Sequence, residues 1–173
     1  RQRQMCIRDS ALTSQSVGPK ILWLKKNFPE IYKEADKILS STSYLVQKLT
    51  NEAVIDHYTA ANFTPLYDIK NLKWTDSLTN NIIELEKLPK LMWTTEIAGY
   101  VSKAASEETG LALGIPVTVG TIDAASEAIS VGVCNAGDMM MMYGSTIFMI
   151  QITDQKITDK RLWYAPWLFR GLH

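Results

Sequence analysis

The sequence predicts an α/β fold, and three observations support this prediction. Apolar residues recur at helical spacing early in the chain, as in Ile31, Ala35, Ile38 and Leu39. Residues 115–120 form a short apolar run rich in β-branched side chains, which is typical of a buried strand. The chain then changes from an alanine-rich segment to strand-like runs. Helices with one inserted strand therefore precede a β-meander.

The composition of the chain is that of an ordinary globular protein. The chain has 173 residues, of which 46% are hydrophobic and 21% charged, and its formal net charge is zero. These values suit an ordinary globular protein and give no indication of a nucleic-acid or membrane partner. The two cysteines predict reduced thiols in a cytoplasmic protein. The opening run RQRQMCIRDS joins no later pattern, so residues 1–17 are predicted to be a non-native or unmatched leader.

Three helices are predicted after this leader. The first begins near Pro19 and ends before Phe28 and Pro29. The second carries the apolar face of residues 31–39, and serines at 40–43 then offer caps for a third. Residues 52–74 are predicted to be irregular, with a turn at 68–71. Thr75 could cap a helix that bears the apolar residues Leu78, Ile82, Ile83 and Leu85.

Local signals are clearer in the second half. Ser102 is predicted to cap a helix over 103–109, which Gly110 ends in a left-handed conformation. A further helix follows over 124–131. Residues 139–142 and 147–152 are predicted strands joined by a two-residue turn, Gly144 and Ser145, with positive φ at the glycine. Residues 162–169 are predicted as a third strand, in which Pro166 marks an edge or a bulge.

Asp123 is the best single candidate for chemistry. It follows the predicted strand and opens the next helix, and functional sites in α/β folds gather at the carboxyl ends of strands. A helix N-terminus also favours an ionised carboxylate. The alternative is that Asp123 merely caps the helix. Glu127, four residues later, is predicted to be a solvated carboxylate, and His57 a surface or half-buried residue rather than a base.

The turn of Tyr143, Gly144, Ser145 and Thr146 is the second candidate. A tight turn with glycine and two hydroxyls can present donors to an anion, although a plain hairpin would look the same. Gly132 and Gly137 have the glycine spacing of a P-loop. The lysine and hydroxyl residue that must follow are absent, which excludes that motif.

Several segments, in this order and spacing, resemble the FGGY family of carbohydrate kinases, and most of all its xylulose kinase branch. The segments that carry the resemblance are PKILWL at 19–24, SYLV at 43–46, LT at 49–50, YDI at 67–69, EETGL at 107–111, GIPVTVGTIDAA at 114–125, AGD at 136–138 and YGST at 143–146. The resemblance covers roughly residues 18–173.

This resemblance implies a ribonuclease-H-like, actin-like ATPase fold of two α/β domains. Residues 18–136 would be the C-terminal part of the sugar-binding domain, and 137–173 the start of the nucleotide-binding domain. Asp123 would contact the sugar hydroxyl as general base, while Gly144, Ser145 and Thr146 would bind nucleotide phosphate. ATP and Mg²⁺ would be required, and the resemblance is compatible with a homodimer of the full-length parent.

Two departures from the family pattern affect what the resemblance implies. Many xylulose kinases have asparagine after the catalytic aspartate, whereas this chain has Ala124, and the hydroxyls of Ser145 and Thr146 are exchanged. The resemblance implies phosphorylation of D-xylulose, and two kinds of alternative stay open. The protein could be a gluconate, ribulose or glycerol kinase, or a non-catalytic actin-like sugar-binding protein. The family's N-terminal Asp-x-Gly-Thr turn is not in the sequence, so the chain is expected to be an interior fragment that is inactive alone.

Overall fold

The computed structural model describes residues 15–75, 81–157, 159 and 161–173. The predicted leader up to residue 14, and Leu78 of the helix predicted after Thr75, lie outside this part of the chain.

The described residues form a mixed α/β structure. The helices are α1 Val17–Asn27, α2 Pro29–Glu34, α3 Ser41–Thr50, α4 His57–Ala60, α5 Lys103–Thr109 and α6 Asp123–Ser130, with 3₁₀ turns at Ala61–Phe63 and Leu85–Lys87. The strands are β1 Val54–Asp56, β2 Tyr67–Asp68, β3 Lys73–Trp74, β4 Lys90–Met92, β5 Ile97–Tyr100, β6 Pro116–Thr118, β7 Met139–Tyr143 and β8 Ile147–Gln151. None of the helices in the described ranges is long and apolar enough to cross a membrane.

The predicted starts and ends of several helices are confirmed because they depend on local hydrogen bonds. The Ser40 hydroxyl accepts from the Ser43 N–H at 3.1 Å at the start of α3. The Ser102 hydroxyl does the same for the Ala105 N–H at 3.2 Å, and Gly110 ends α5 with φ at 76°. Side-chain caps and a left-handed glycine therefore set these boundaries.

The second predicted helix is too long. α2 ends at Glu34, and beyond it the Ile38 N–H donates to the Lys87 carbonyl at 2.8 Å. This segment therefore pairs its backbone with a distant part of the chain. The helix predicted after Thr75 is also wrong where it can be followed, because residues 81–84 are not helical and only a 3₁₀ turn follows.

Residues 52–74 are more regular than the sequence predicts. β1 lies in this segment and pairs in parallel with β4, Val54 opposite Lys90 and Asp56 opposite Met92. A strand of three residues, all buried, shows no alternation that would identify it. The predicted turn at 68–71 is confirmed, since the Asp68 carboxylate accepts from the N–H groups of Lys70 and Asn71.

The strand predicted over 115–120 exists, but its predicted burial is wrong. β6 pairs antiparallel with β5, and Pro116 and Thr118 are exposed. Val119, which follows β6, is the buried residue, packed with Val46 and Val54 in a small second core. The apolar run therefore forms a largely exposed strand, and the chain becomes buried only at Val119, just after the strand ends.

The hairpin of β7 and β8 is confirmed, with Tyr143 opposite Ile147, but three residues rather than two connect the strands. The third strand predicted over 162–169 is wrong. The Trp167 N–H donates to the Leu172 carbonyl at 2.8 Å, so the chain turns back, and Thr153 and His173 exchange two hydrogen bonds at 2.9 Å. Pro166 has no N–H to offer a sheet, and aromatic packing holds this segment instead.

One main core joins the two halves of the described chain. Trp167 is 1% exposed and packs edge-on against Tyr58, with ring centroids 5.4 Å apart. The same cluster contains Ala125 and Ala128 of α6 and Met140 of β7. The helix that begins at Asp123 and the hairpin that carries the glycine turn therefore rest on the same core.

A polar cluster connects the first two helices to the segment before β4. The Tyr32 hydroxyl donates to the Glu84 carboxylate, and Lys25 forms an ion pair with it at 2.9 Å. Hydrogen bonding from Tyr32 and then from Lys25 lowers the pKa of Glu84 from 4.5 to about 2. The folded state therefore holds Glu84 ionised more strongly than the unfolded chain does.

We expect Glu84→Gln to destabilise the chain at neutral pH. Because the folded pKa is depressed, the stabilisation by Glu84 is complete above pH 4.5 and is lost as pH falls through about 2. The difference in melting temperature between wild type and Glu84→Gln should therefore shrink over that range. Glu86→Gln, at an exposed neighbour, is the matched control and should change little. A Glu84→Gln difference that is independent of pH would contradict this assignment.

Candidate functional site

Asp123 lies at the start of α6 but is not the N-cap. Ile122 holds the cap position, and Asp123 is the first residue within the helix. Its Oδ1 accepts from the N–H of Ala124 at 2.8 Å, and the residue is exposed. Asp123 is therefore not the N-cap residue, but its carboxylate still accepts from one N–H of the first helical turn. Its carboxylate sits in the first turn of a helix, where the helix dipole favours negative charge.

The loop that leads from β6 to Asp123 is held by backbone and side-chain hydrogen bonds. The Val119 N–H donates to the Glu96 carbonyl at 3.0 Å, and the Gly120 N–H donates to the Thr94 carbonyl at 3.2 Å. The Thr121 carbonyl accepts from the Thr42 hydroxyl at 3.0 Å. Consecutive residues of this loop are thus bonded to neighbouring segments, which restricts the position of the carboxylate that follows.

Gly120 has a conformational reason to be glycine. Its φ is +70°, in the left-handed region, and an added Cβ would lie 3.2 Å from Thr42 Cγ2. Residues with a side chain adopt that region only at a cost.

Asp56 belongs to this site, although sequence reasoning did not single it out. It ends β1 and is 2% exposed. Its Oδ2 accepts from the Thr121 hydroxyl at 2.9 Å, the Thr94 hydroxyl at 3.3 Å and the Thr59 N–H at 3.3 Å. Burial raises the pKa of Asp56, and these hydrogen bonds oppose the rise. The signal that could have identified it is an aspartate directly after an apolar run, but β1 is too short to recognise.

Tyr58 is a buried residue of the aromatic core whose phenol is influenced by both aspartates. Burial, together with the nearby carboxylates of Asp56 and Asp123, raises its pKa to about 12. The phenol therefore stays protonated at neutral pH. Trp163 and Trp167 both pack edge-on against its ring.

His57 is buried, at 7% exposed, and the prediction that it lies at the surface or is half-buried is wrong. Its Nδ1 shares a hydrogen bond with the Tyr67 hydroxyl at 2.8 Å, and its ring lies 4.6 Å from that of Trp93. Burial is the main cause that lowers its pKa; Glu96 opposes this effect and Arg170 adds to it. Burial by tertiary contacts, which local sequence does not report, explains the difference.

The loop of Gly144, Ser145 and Thr146 is exposed at the tip of the β7–β8 hairpin. The expected positive φ at Gly144 is not found, so the two-residue turn geometry is wrong here. The Gly144 N–H donates to the Thr146 carbonyl at 3.0 Å within the loop. The hydroxyl-bearing side chains of Ser145 and Thr146 are exposed and can reach a ligand.

Asp123 and this loop form two separate parts of the candidate site. Across the described ranges, no hydrogen bond or ion pair joins them, and Glu127 is exposed on α6. The described residues also contain no group of three or more His, Cys, Asp or Glu side chains placed to hold a metal ion.

Fold and site together define the class. The structure matches the crystal structure of xylulose kinase from Rhodospirillum rubrum with a TM-score of 0.87 and 25% identity, over 95% of this chain and 34% of that chain. It matches Plasmodium falciparum glycerol kinase with ADP with a TM-score of 0.72 and 25% identity, over 87% of this chain and 30% of that chain. The chain thus has part of the actin-like α/β fold found in kinases of small polyhydroxy compounds.

Residues 6–130 match the family model described as "FGGY family of carbohydrate kinases, N-terminal domain". The chain belongs to the FGGY family of carbohydrate kinases. The family and the fold implied by the resemblance are confirmed. The predicted domain boundary near residue 137 and the roles of Asp123, Gly144, Ser145 and Thr146 stay predictions.

Characterised relatives include several kinases. The chain is 32% identical to a xylulose kinase of Lactococcus lactis over 82% of its length and 28% of the relative. It is 30% identical to a glycerol kinase of Clostridium perfringens, over 90% of this chain and 32% of the relative. An autoinducer-2 kinase of Klebsiella pneumoniae is 28% identical over 85% of this chain and 28% of the relative. The chain thus spans about a third or less of these relatives.

We expect two glycines of the site to respond differently to alanine. Gly120→Ala should lower the free energy of unfolding by about 1–2 kcal/mol, because the left-handed conformation disfavours any Cβ. Gly144→Ala should have little effect, since its φ is ordinary and an added Cβ would meet only the Thr146 oxygen at 3.8 Å. Denaturant unfolding of both variants measures this. Equal losses would show that the hairpin loop has the left-handed turn after all.

Proposed function

We propose that the whole protein transfers the terminal phosphoryl group of ATP to a sugar hydroxyl, with a ketopentose such as D-xylulose as acceptor and D-xylulose 5-phosphate as product, in the cytoplasm. One observation carries the proposal: an exposed carboxylate, Asp123, opens a helix at the end of a hydrogen-bonded loop, in a member of a carbohydrate kinase family.

Asp123 is the general base in this proposal. A sugar hydroxyl becomes a better nucleophile when a carboxylate orients it and accepts its proton as the phosphoryl group is transferred. Phosphoryl transfer depends mainly on positioning, so the base must be held in one place. The hydrogen bonds of Val119, Gly120 and Thr121 to neighbouring segments support such a position.

The hairpin loop is the phosphate contact in this proposal. The exposed hydroxyls of Ser145 and Thr146 can donate to phosphate oxygens, which favours this role. The N–H of Gly144 donates within the loop, so the hydroxyls rather than this N–H are the donors that the structure offers.

Magnesium, when bound with ATP, neutralises charge on the phosphates. It typically takes one or two carboxylates together with phosphate oxygens and water. Asp123 is assigned to the sugar hydroxyl in this proposal, and the described residues offer no cluster of three acidic or histidine ligands for the ion.

The acceptor is the finer part of the proposal. Two xylulose kinases, at 32% and 30% identity, favour D-xylulose, although autoinducer-2 and glycerol kinases have similar identities of 28% and 30%. ATP turnover by the whole protein should be measured with D-xylulose, D-ribulose, gluconate, glycerol and autoinducer-2. We expect the highest kcat/KM for D-xylulose. A higher value for another acceptor would change the substrate, and sugar binding without turnover would indicate a non-catalytic protein.

In the whole protein, Asp123→Asn should lower kcat by about 10²–10⁴-fold, the usual contribution of a positioned base. The melting temperature should change little, because the side chain is exposed and asparagine keeps an oxygen that can accept from the Ala124 N–H. Glu127→Gln, an exposed carboxylate on the same helix, is the matched control and should keep wild-type turnover. Near-normal activity of Asp123→Asn would remove Asp123 from the mechanism.

Ser145→Ala tests the phosphate contact. Loss of the hydroxyl should raise the KM for ATP or lower kcat, while the KM for sugar and the melting temperature stay close to wild type, because the side chain is exposed. Steady-state kinetics with ATP varied at saturating sugar measures this effect. Unchanged ATP parameters would mean that the loop is only a hairpin connection.

A further inference from the structure

We propose that Asp56 is a positioning residue for Asp123: its buried carboxylate holds the loop that carries the general base. The inference rests on the proposed function of Asp123 and adds a residue that does not itself touch substrate.

The first step concerns which segments meet at Asp56. Its Oδ2 accepts from Thr59 at the start of α4, from Thr94 after β4 and from Thr121 after β6. These three segments follow three different strands, and β1 and β4 are parallel neighbours. A single oxygen atom thus connects the carboxyl ends of the strands around the start of α6.

The second step concerns the loop itself. Thr121 lies two residues before Asp123, and two of its groups are hydrogen-bonded. Its hydroxyl donates to Asp56 at 2.9 Å, and its carbonyl accepts from the Thr42 hydroxyl at 3.0 Å. Rotating the Thr121 peptide would break one of these bonds. The position of Thr121, and with it the direction in which the chain enters α6, therefore depends on Asp56.

The third step explains why an aspartate is suited to this position. The Thr59 N–H can only donate, and Thr94 and Thr121 donate their hydroxyl hydrogens to the same oxygen. An ionised carboxylate accepts such bonds and strengthens them. An asparagine could keep one accepting oxygen, but it would be uncharged and would place an NH₂ group in a buried position. The geometry thus favours an acid at a position that is 2% exposed.

The test uses single-hydroxyl deletions in the whole protein. Thr121→Val removes the donor to Asp56 and preserves side-chain shape. A slightly misplaced base can lose on the order of 10²-fold in rate, so we expect kcat to fall by about 10- to 100-fold, with the KM for ATP nearly unchanged. Thr50→Val is the matched control: it deletes a buried hydroxyl that bonds to the Val46 carbonyl at 2.7 Å and not to Asp56. The Thr50 hydroxyl also accepts from the Glu52 N–H at 3.1 Å, so Thr50→Val should lower the melting temperature by at least as much as Thr121→Val does, without the fall in kcat.

A double-mutant cycle distinguishes positioning from general stability. If Asp56 and Thr121 act through Asp123, Thr121→Val should have almost no further effect on kcat in an Asp123→Asn background. An equal fall in both backgrounds, or an unchanged kcat in Thr121→Val alone, would overturn the proposal. Asp56→Asn should behave like Thr121→Val, and if it does not fold, the threonine variant still decides the question.

The cycle also separates this inference from the proposed function. Full activity of Asp123→Asn would refute the general base, and a kcat effect of Thr121→Val in that case would show that Asp56 supports something other than Asp123. A large loss in Asp123→Asn with none in Thr121→Val would retain the base and reject Asp56 as its positioning residue.

Discussion

The arrangement of the site depends on the burial of one carboxylate. Asp56 is almost fully removed from water, and a buried charge is tolerated only where hydrogen-bond donors replace its solvent. Thr94 and Thr121 supply donors from two other segments of the chain, and Thr59 supplies the N–H that Asp56 caps at the start of α4. Each segment must therefore pass close to the end of β1. Satisfying this carboxylate and placing the start of α6 are the same structural requirement.

Two kinds of side chain pack near the end of β1: aromatic rings around Tyr58 and small alanines from α6. Tyr58 follows Asp56 closely in the chain and receives Trp163 and Trp167 edge-on, an arrangement that aromatic rings prefer. Ala125 and Ala128 are the fully buried residues that α6 contributes to the main core, and their small side chains allow close approach. Arg170 adds a polar connection through its ion pair with Glu96 at 2.7 Å, while its guanidinium lies 5.6 Å from the ring centre of Trp93. Arg170 thereby attaches to the segment between β4 and β5, whose Glu96 carbonyl accepts from the Val119 N–H.

The correct and the wrong sequence predictions differ in the range of the interactions involved. Caps such as Ser40 and Ser102 bond within three residues, and a left-handed glycine such as Gly110 ends a helix by its own conformation. These features, and the β7–β8 hairpin, could be predicted. By contrast, the extended segment after α2 is explained by a bond from Ile38 to Lys87, and the chain after β8 by the turn that brings Trp167 to Leu172. No local pattern reports a partner that lies far away along the chain.

The features of the candidate site also fall into those that local sequence predicts and those that depend on distant contacts. The sequence by itself determined the family, the place of Asp123 between a strand and a helix, and the hairpin with its two hydroxyls. Short contiguous runs of residues carry the signal for each of these features. Only the tertiary structure decided that Asp56 is buried beneath the loop and that His57 lies inside the protein. Burial results from chain segments brought together in space, and the donors that stabilise Asp56 come from positions as far away as Thr121. A buried charge becomes recognisable only when its partners are known, and those partners are set by the fold.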